Sequence, residues 1–487
     1  MADLKYKYGV RPSVRFRHAR RSQRVGTPRL GKVCIIGAFP TVSETLIRCK
    51  DLDEAREKLN ITPNKHDLFK INDNGTLVEN PSYYAGAGAL RWAFLQGTSE
   101  AGASEVLICN ISTYAVKQET NTNGEQVIVK ECDANGQEVL NDTLTHDTLT
   151  HDADSNGNPQ SKLDIALSKL KGEDFDNLIF AYRLSHDSNV TEEATGQTDA
   201  EGRDTGIVKI LEKLLNFTHE SYTVKHPFGM YIGLEVSPSV NENSTEILDN
   251  PNGQSVVDSL VNTNKSTTID RKVAESYAKI FEDPIHNAHS IYTLTFSGLK
   301  TDLREYTLPP METAAYLCGV EAGLPVDTIM GQRALPHVIG VDEELNYDPY
   351  YQDANGIQND GINLLGAGIT CFECIDRSAN TWAIVNSMQP CGYDISHLRI
   401  SAFIIKQIAL TPFLCNVNND VTRESVDSVI ASLKEKYVDR FVEIISIDHH
   451  IAEKRNPRCI EIYLYINFYG IIIDEIVYVA MGVEEDE

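Results

Sequence analysis

The chain has 487 residues, 41% of them hydrophobic, enough for several packed cores and about three domains at roughly 150 residues each. Its net charge is −26, but residues 1–32 carry ten Lys/Arg against Asp3 alone, a net of +9, leaving −35 on the remainder. So acidic a body argues against non-specific nucleic-acid or anionic-membrane binding by the protein as a whole, and it directs the basic arm toward another copy.

In KYKYGVRPSVRFRH (5–18), Tyr6, Tyr8, Val10, Pro12, Val14 and Phe16 alternate with Lys5, Lys7, Gly9, Arg11, Ser13, Arg15 and Arg17. A period of two predicts a strand with one apolar and one basic face, and Pro12, which lacks a donor, places it on a sheet edge. The segment has no apolar core of a signal peptide. GTPRLG (26–31) is a turn-rich hinge and KVCIIGAF (32–39) a short buried strand. SETLIRCKDLDEAREKLN (43–60) carries a helix, clearest in Leu52–Leu59. GAGALRWAFLQG (86–97) is a second helix and SEVLICNIS (104–112) a strand, an α/β order.

Gln118–Gln160 is polar and contains a direct duplication, TLTHDTLTHD (143–152), which belongs on an exposed loop or small β insertion. His146, Asp147, His151 and Asp152 match no defined metal spacing. A helix (161–172), a strand (175–184), a polar insertion (185–203), a helix (205–217) and a strand (228–236) follow. Then come polar residues 241–267, a helix (268–281) and a strand (290–298).

In the last third, METAAYLCGVEAG (311–323) is a helix behind Pro309–Pro310, NTWAIVNSM (380–388) is short and apolar, and SHLRISAFIIKQIALTPFL (396–414) reads as a long apolar helix. RESVDSVIASLKEKYVDRF (423–441) is amphipathic, with Val426, Val429, Ile430, Leu433 and Tyr437 as its stripe and Thr422 as N-cap. Ile462–Gly482 is long enough for a membrane span, but Asp474 and Glu475 lie inside it and its residues are β-branched and aromatic. It reads as two strands meeting near Gly470, the first with Ile462, Leu464, Ile466 and Phe468 on one face.

Motifs of chemistry fail one by one. GTPRLGKV (26–33) has Val33 where a phosphate loop needs a hydroxyl, and it precedes a strand instead of joining strand to helix. CFEC (371–374) is a lone C-x-x-C, better read as two packed thiols, and the ten cysteines together read as free thiols in a reducing compartment. Asp448–His450 reads as a solvated loop before the basic turn EKRNPR. There is no G-x-S-x-G and no H-E-x-x-H.

The informative features are the two ends. A strand that adds to another molecule's sheet gains main-chain hydrogen bonds and takes its register from alternate side chains. The apolar arm residues Tyr6, Tyr8, Val10, Val14 and Phe16 and the basic Lys5, Lys7, Arg11, Arg15 and Arg17 are candidates for such a contact. The candidate receiving sheet is Ile471, Ile473, Asp474, Glu475, Ile476, Val477, Tyr478 and Val479, with Asp474, Glu475 or the EEDE tail meeting the basic face. A strand paired within its own chain, or a solvated basic arm, remains the alternative.

The order of these elements resembles the tail sheath proteins of contractile phages and related injection machines. GVRPSV with GKVCIIGAFP is similar to that family's opening arm and first strand. GAGALRWAFLQGTSEAGASEVLICNIS resembles its helix, small-residue turn and strand, and LSKLKGEDFDNLIFAY the start of its middle domain. LPPMETAAYLCGVEAGLPVDTIMGQRALPHVIGVD, INLLGAGITCFECIDRSANTWAIVNSMQP and SHLRISAFIIKQIALTPFLCNVNNDVTRESVDSVIASLKEK resemble its later stretches in the same order. The chain departs from the family in METAAYLCGVEAGLPV, where Gly, Arg and Asp are frequent, and in TWAIVNSMQP, which stands for VWGARTL.

The resemblance implies an α/β multidomain fold with a subtilisin-like α/β middle domain lacking peptidase function, an α+β C-terminal domain, extended N- and C-terminal β arms and polar β/loop insertions. It divides the chain into a linking arm (1–30), a first α/β segment (31–117), a polar surface insertion (118–160), the middle domain (161–300), its continuation and connector (301–395) and a tube-facing C-terminal domain with linking strands (396–487). It implies a structural subunit, not an enzyme, without cofactor or metal, located in a virion tail after assembly in the host cytoplasm. Its partners would be other copies of itself, a tail tube protein, and baseplate and tail terminator proteins, with neither nucleic acid nor membrane insertion. Lys434, Lys436 and Arg440 are candidates to face the tube, against the plainer reading of a solvated helix face. The competing readings are another self-assembling tail or baseplate protein, a hydrolase on a subtilisin-like domain, and a nucleic-acid binder using the Arg-rich arm.

Overall fold

Seven of the apolar runs pair into one sheet. The structure is a computed structural model that describes parts of residues 30–235, 267–341 and 365–409, scattered helical positions between 424 and 435, and the strands Val442–Ile451 and Ile460–Phe468. The longer stretches outside that description are 1–29, 142–160, 186–193, 236–266, 283–290, 342–364, 410–423, 436–441, 452–459 and 469–487.

The sheet strands in chain order are β1 (Lys32–Gly37), β2 (Leu46–Cys49), β3 (Glu105–Asn110), β4 (Asn177–Ala181), β5 (Leu184–Ser185), β6 (Gly229–Glu235) and β7 (Ile291–Thr295). β1 is central, between β3 and β4, with Ile35 opposite Ile108 on one side and Ile179 on the other. β6 follows β4, and β7 pairs with β6, all parallel. Buried parallel strands read as continuous apolar runs, and Val33 to Ile36 are fully buried. β5 resumes parallel pairing along the far end of β6.

β2 alone is antiparallel, on β3. The sequence reading left Leu46–Cys49 beside a helix and did not see this strand. The helix α1 (Leu52–Leu59) starts only after it, because Asp51 caps it by accepting from the Glu54 amide at 2.8 Å. It ends at Asn60 in the left-handed region, φ 55°.

The other helices are α2 (Ala85–Ala93), α3 (Lys162–Leu170), α4 (Thr205–Thr223), α5 (Thr267–Ala278), α6 (Pro310–Ala322) and α7 (Ile395–Ala409). A capping box of Ser161 and Asp164 opens α3. α6 begins with Pro310, whose missing donor costs nothing there, and every one of its residues is buried. A helix buried on every face belongs in a core, and its two carboxylates there need partners. It packs close: a Cβ on Gly233 of β6 would lie 2.1 Å from the Pro310 carbonyl carbon, and one on Gly319 would lie 2.2 Å from the Trp92 carbonyl oxygen in α2. One core spans these strands and helices from Val33 to Leu398.

The chain enters α4 and α7 through the same turn. Antiparallel bridges join Thr198 to Asp204 and Met388 to Asp394, and Gly202 and Gly392 both sit at φ 81°. In each, the aspartate caps the helix, Asp204 accepting from the Gly206 amide and Asp394 from the Ser396 amide, both at 2.8 Å.

Smaller antiparallel pairs are Phe69–Ile71 with Leu77–Glu79, Val116–Thr120 with Gln126–Lys130, Leu299–Thr301 with Val338–Val341, and Phe372–Asp376 with Thr381–Ile384. The second lies in the polar stretch expected to be a loop or small β insertion. β8 (Val442–Ile451) and β9 (Ile460–Phe468) form a further antiparallel pair. β9 is the expected first terminal strand. Asp448–His450, expected in a loop, instead lie in β8 opposite Tyr463, Ile462 and Glu461, because strand pairing overrides their polar character. Among the described residues, no helix is long and apolar enough to cross a membrane.

Candidate assembly site

Open α/β sheets hold ligands in the crevice outside the carboxyl ends of the strands, where the strand order switches. Here that switch is β1, flanked by β3 and β4. The loop leaving β1 is tied down at that end. The Phe39 amide donates to Ser112 Oγ at 2.9 Å, and the Ser112 hydroxyl donates back to the Phe39 carbonyl at 2.8 Å. The Gly86 amide at the start of α2 donates to the Ala38 carbonyl at 3.1 Å, and a Cβ on Gly86 would meet the Phe39 ring at 2.6 Å. Behind it the buried Glu312 carboxylate accepts from Trp92 Nε1 at 2.8 Å and from the Tyr83 hydroxyl at 3.4 Å. Burial, with Glu312 beside it, pushes the Tyr83 hydroxyl well up, so it stays a donor. His226 faces Asp174 at 3.9 Å and His337 faces Asp302 at 3.0 Å, and neither ring bonds a serine hydroxyl among the described residues.

The opposite end of the sheet is built differently. Leu30, the first described residue, is buried, and its carbonyl accepts from Asn177 Nδ2 at 2.9 Å. The Gly31 carbonyl accepts from the Ser104 amide at 2.9 Å. The Lys32 amide donates to Asp176 Oδ2 at 3.0 Å, and the Asp176 amide donates to the Lys32 carbonyl at 2.8 Å. The Lys32 ammonium bonds Asp174. The root of the basic arm is thus clamped between the entrances of β3 and β4. Arg48 ties the same edge to Glu105 at 2.6 Å and to Glu173 at 2.7 Å.

α7 reaches this corner from behind. Lys406 Nζ donates to Asp176 Oδ1 at 2.7 Å and to the Phe175 carbonyl at 2.6 Å, both side chains of the pair being largely buried. Two turns earlier, Arg399 is 1% exposed and donates through Nη2 to the carbonyls of Glu321 and Leu324, at 3.0 and 3.3 Å, capping the end of α6. Its Nε lies 4.0 Å from the Glu321 carboxylate, which also bonds the Tyr231 hydroxyl. Burial raises the Glu321 carboxyl, and the Arg399 charge opposes that rise. The sequence reading missed both cations because they interrupt an otherwise apolar run; their seven-residue spacing, which puts them on one helix face, was the available signal.

No protein-family profile matches this chain, and no curated protein matches it by sequence. Solved structures it is similar to include sheath proteins. The sheath tail protein of Desulfitobacterium hafniense is 12% identical, with a TM-score of 0.42, over 91% of this chain and 98% of that one. The sheath tail protein Lin1278 of Listeria innocua is 12% identical, with a TM-score of 0.38, over 84% of this chain and 80% of that one. The contracted helical sheath of the anti-feeding prophage is 11% identical, with a TM-score of 0.44, over 94% of each.

The arm residues Tyr6 to Arg17, the receiving residues Ile471 to Val479, and Lys434, Lys436 and Arg440 lie outside the described residues. Within the expected amphipathic helix, Glu424, Asp427, Ser428, Ala431, Ser432 and Glu435 are helical and exposed. β8 and β9 run up to the proposed receiving segment and form a two-stranded sheet, paired with no other strand among the described residues. Cys371 is buried, its thiol pushed up by burial, while Cys374 is half-buried.

Proposed function

We propose that this chain is the structural subunit of a contractile tail sheath, polymerising around a tail tube through exchanged β-strand arms. The observation that carries the reading is the β8–β9 pair. Among the described residues they pair with no other strand, two strands by themselves are marginal in water, and a third strand from another copy would complete them. The alternation in residues 5–18 is the pattern such a strand needs, and the arm's root is fixed to the body at Leu30–Lys32. Arm exchange between copies is heterologous, so it builds rings or helices. Assembly on a tube, contacts with baseplate and terminator proteins, contraction, the subtilisin-like character of residues 161–300 and the tube-facing role of Lys434, Lys436 and Arg440 belong to the same proposal.

The test is negative-stain electron microscopy of the concentrated protein, with and without a purified tail tube template, beside a version lacking residues 1–24. Tubes or stacked rings that vanish on truncation support the reading. Single particles in every sample, template included, contradict it.

A further inference from the structure

The described body begins at Leu30, and α7 ends at Ala409. The Leu30–Lys32 root and the last turn of α7 meet at Asp176. One carboxylate oxygen holds the Lys32 amide at the arm root, and the other holds Lys406 in the last turn of α7. The end of α6 adjoins the same corner, since a Cβ on Gly31 would lie 3.4 Å from the Ala322 carbonyl, and Arg399 of α7 holds that end. The joint is largely buried, with side-chain exposures of 13% for Lys406 and 12% for Asp176. Charged hydrogen bonds in such surroundings are short, strong and geometrically demanding.

We propose that α7 is a two-cation clamp, with Arg399 on the end of α6 and Lys406 on Asp176, that makes the arm root and the start of the C-terminal segment one mechanical unit. Asp176 and Lys406 are positioning residues. They hold the backbone from which the arm departs, so a pull on the arm is delivered to α7 and to whatever follows Ala409. The purpose of this coupling rests on the sheath reading above; its existence does not.

The test is hydrogen exchange on the unassembled full-length protein, comparing Lys406→Met and Lys406→Arg with the parent. Loss of a hydrogen bond to a charged group predicts that exchange at residues 30–33 in Lys406→Met rises about tenfold or more, together with the end of α7. Lys406→Arg restores protection and keeps the melting temperature of the body near the parent's. Faster exchange confined to α7, with residues 30–33 unchanged, overturns the proposal. Asp176→Asn, which keeps an acceptor for the Lys32 amide but removes the charge facing Lys406, gives the same comparison if Lys406→Met does not fold. Because the readout needs no polymer, it succeeds or fails independently of the sheath assignment.

Discussion

β1 and β9 are both short runs of branched and apolar residues, yet β1 is flanked by strands on both sides while β9 has a single partner among the described residues. β1 sits in a parallel sheet covered by helices, and its loops are stitched to Ser112 and Gly86. β9 pairs with β8 alone. Among the described residues, the same strand-forming chemistry therefore gives a seven-stranded core sheet in one place and a two-stranded sheet in the other. The first depends on packing within one copy, whereas under the sheath proposal the second is where another copy's strand would add.

The largest expected effect separates these two regions. Removing residues 1–24 should abolish assembly and leave the thermal transition of the body unchanged. A body that melts much earlier after truncation would show that the arm belongs to its own core. Next in size, Gly233→Ala forces a Cβ against the α6 backbone and should destabilise the body by about 3 kcal/mol, at the upper end of overpacking costs. Glu312→Ala leaves the buried Trp92 N–H unpaired and should cost about 1–3 kcal/mol. Denaturant titration checks both, and neither should act selectively on assembly of the protein that remains folded.

Smaller effects come from pH at the arm root. Burial pushes the Asp174 carboxyl up, but the hydrogen bond and charge of Lys32, with Lys406 and His226, hold it below its ordinary value overall. That contribution is complete above about pH 3.9 and is lost as pH falls through the lower folded value. The Asp174 hydrogen bond raises Lys32, a contribution present below about pH 10.4 and lost as pH rises through the folded value. Burial, then the nearby Lys406, lowers His226, so its neutral form is favoured; its contribution is present above about pH 6.5 and fades below. Melting temperature against pH should therefore show a slight decline below about 6.5 and a steeper one below about 4, with Asp174→Asn flattening part of the acid limb. The smallest effect is expected from Arg48→Met, whose ion pairs with Glu105 and Glu173 are part-exposed and worth at most about 1 kcal/mol.

β1, β4 and β6 were legible in the sequence because parallel strands buried on both faces are unbroken apolar runs. α1 and α3 were legible from their periodicity, and the caps Asp51 and Ser161 fix where they begin. β2 was not, since Leu46–Cys49 abuts the α1 cap and reads as part of a helix. Asp448–His450 were misplaced because a local polar triplet gives no hint of a partner strand lying beyond the next turn. Of the candidate site, the alternation of the arm was plain from residues 5–18, but its root was not. Asp176, Lys406, Ser104 and Asn177 come together only through tertiary pairing, and Arg399 and Lys406 look like interruptions of a helix until their partners are seen.

The most direct test of arm exchange mixes isotope-labelled and unlabelled copies under assembly conditions and applies a zero-length carbodiimide crosslinker. Exchange predicts crosslinks between Lys5 or Lys7 of one copy and Asp474, Glu475 or the acidic tail of another, seen as mixed-label pairs. Crosslinks confined to single-label pairs would place the arm on its own chain and contradict the account.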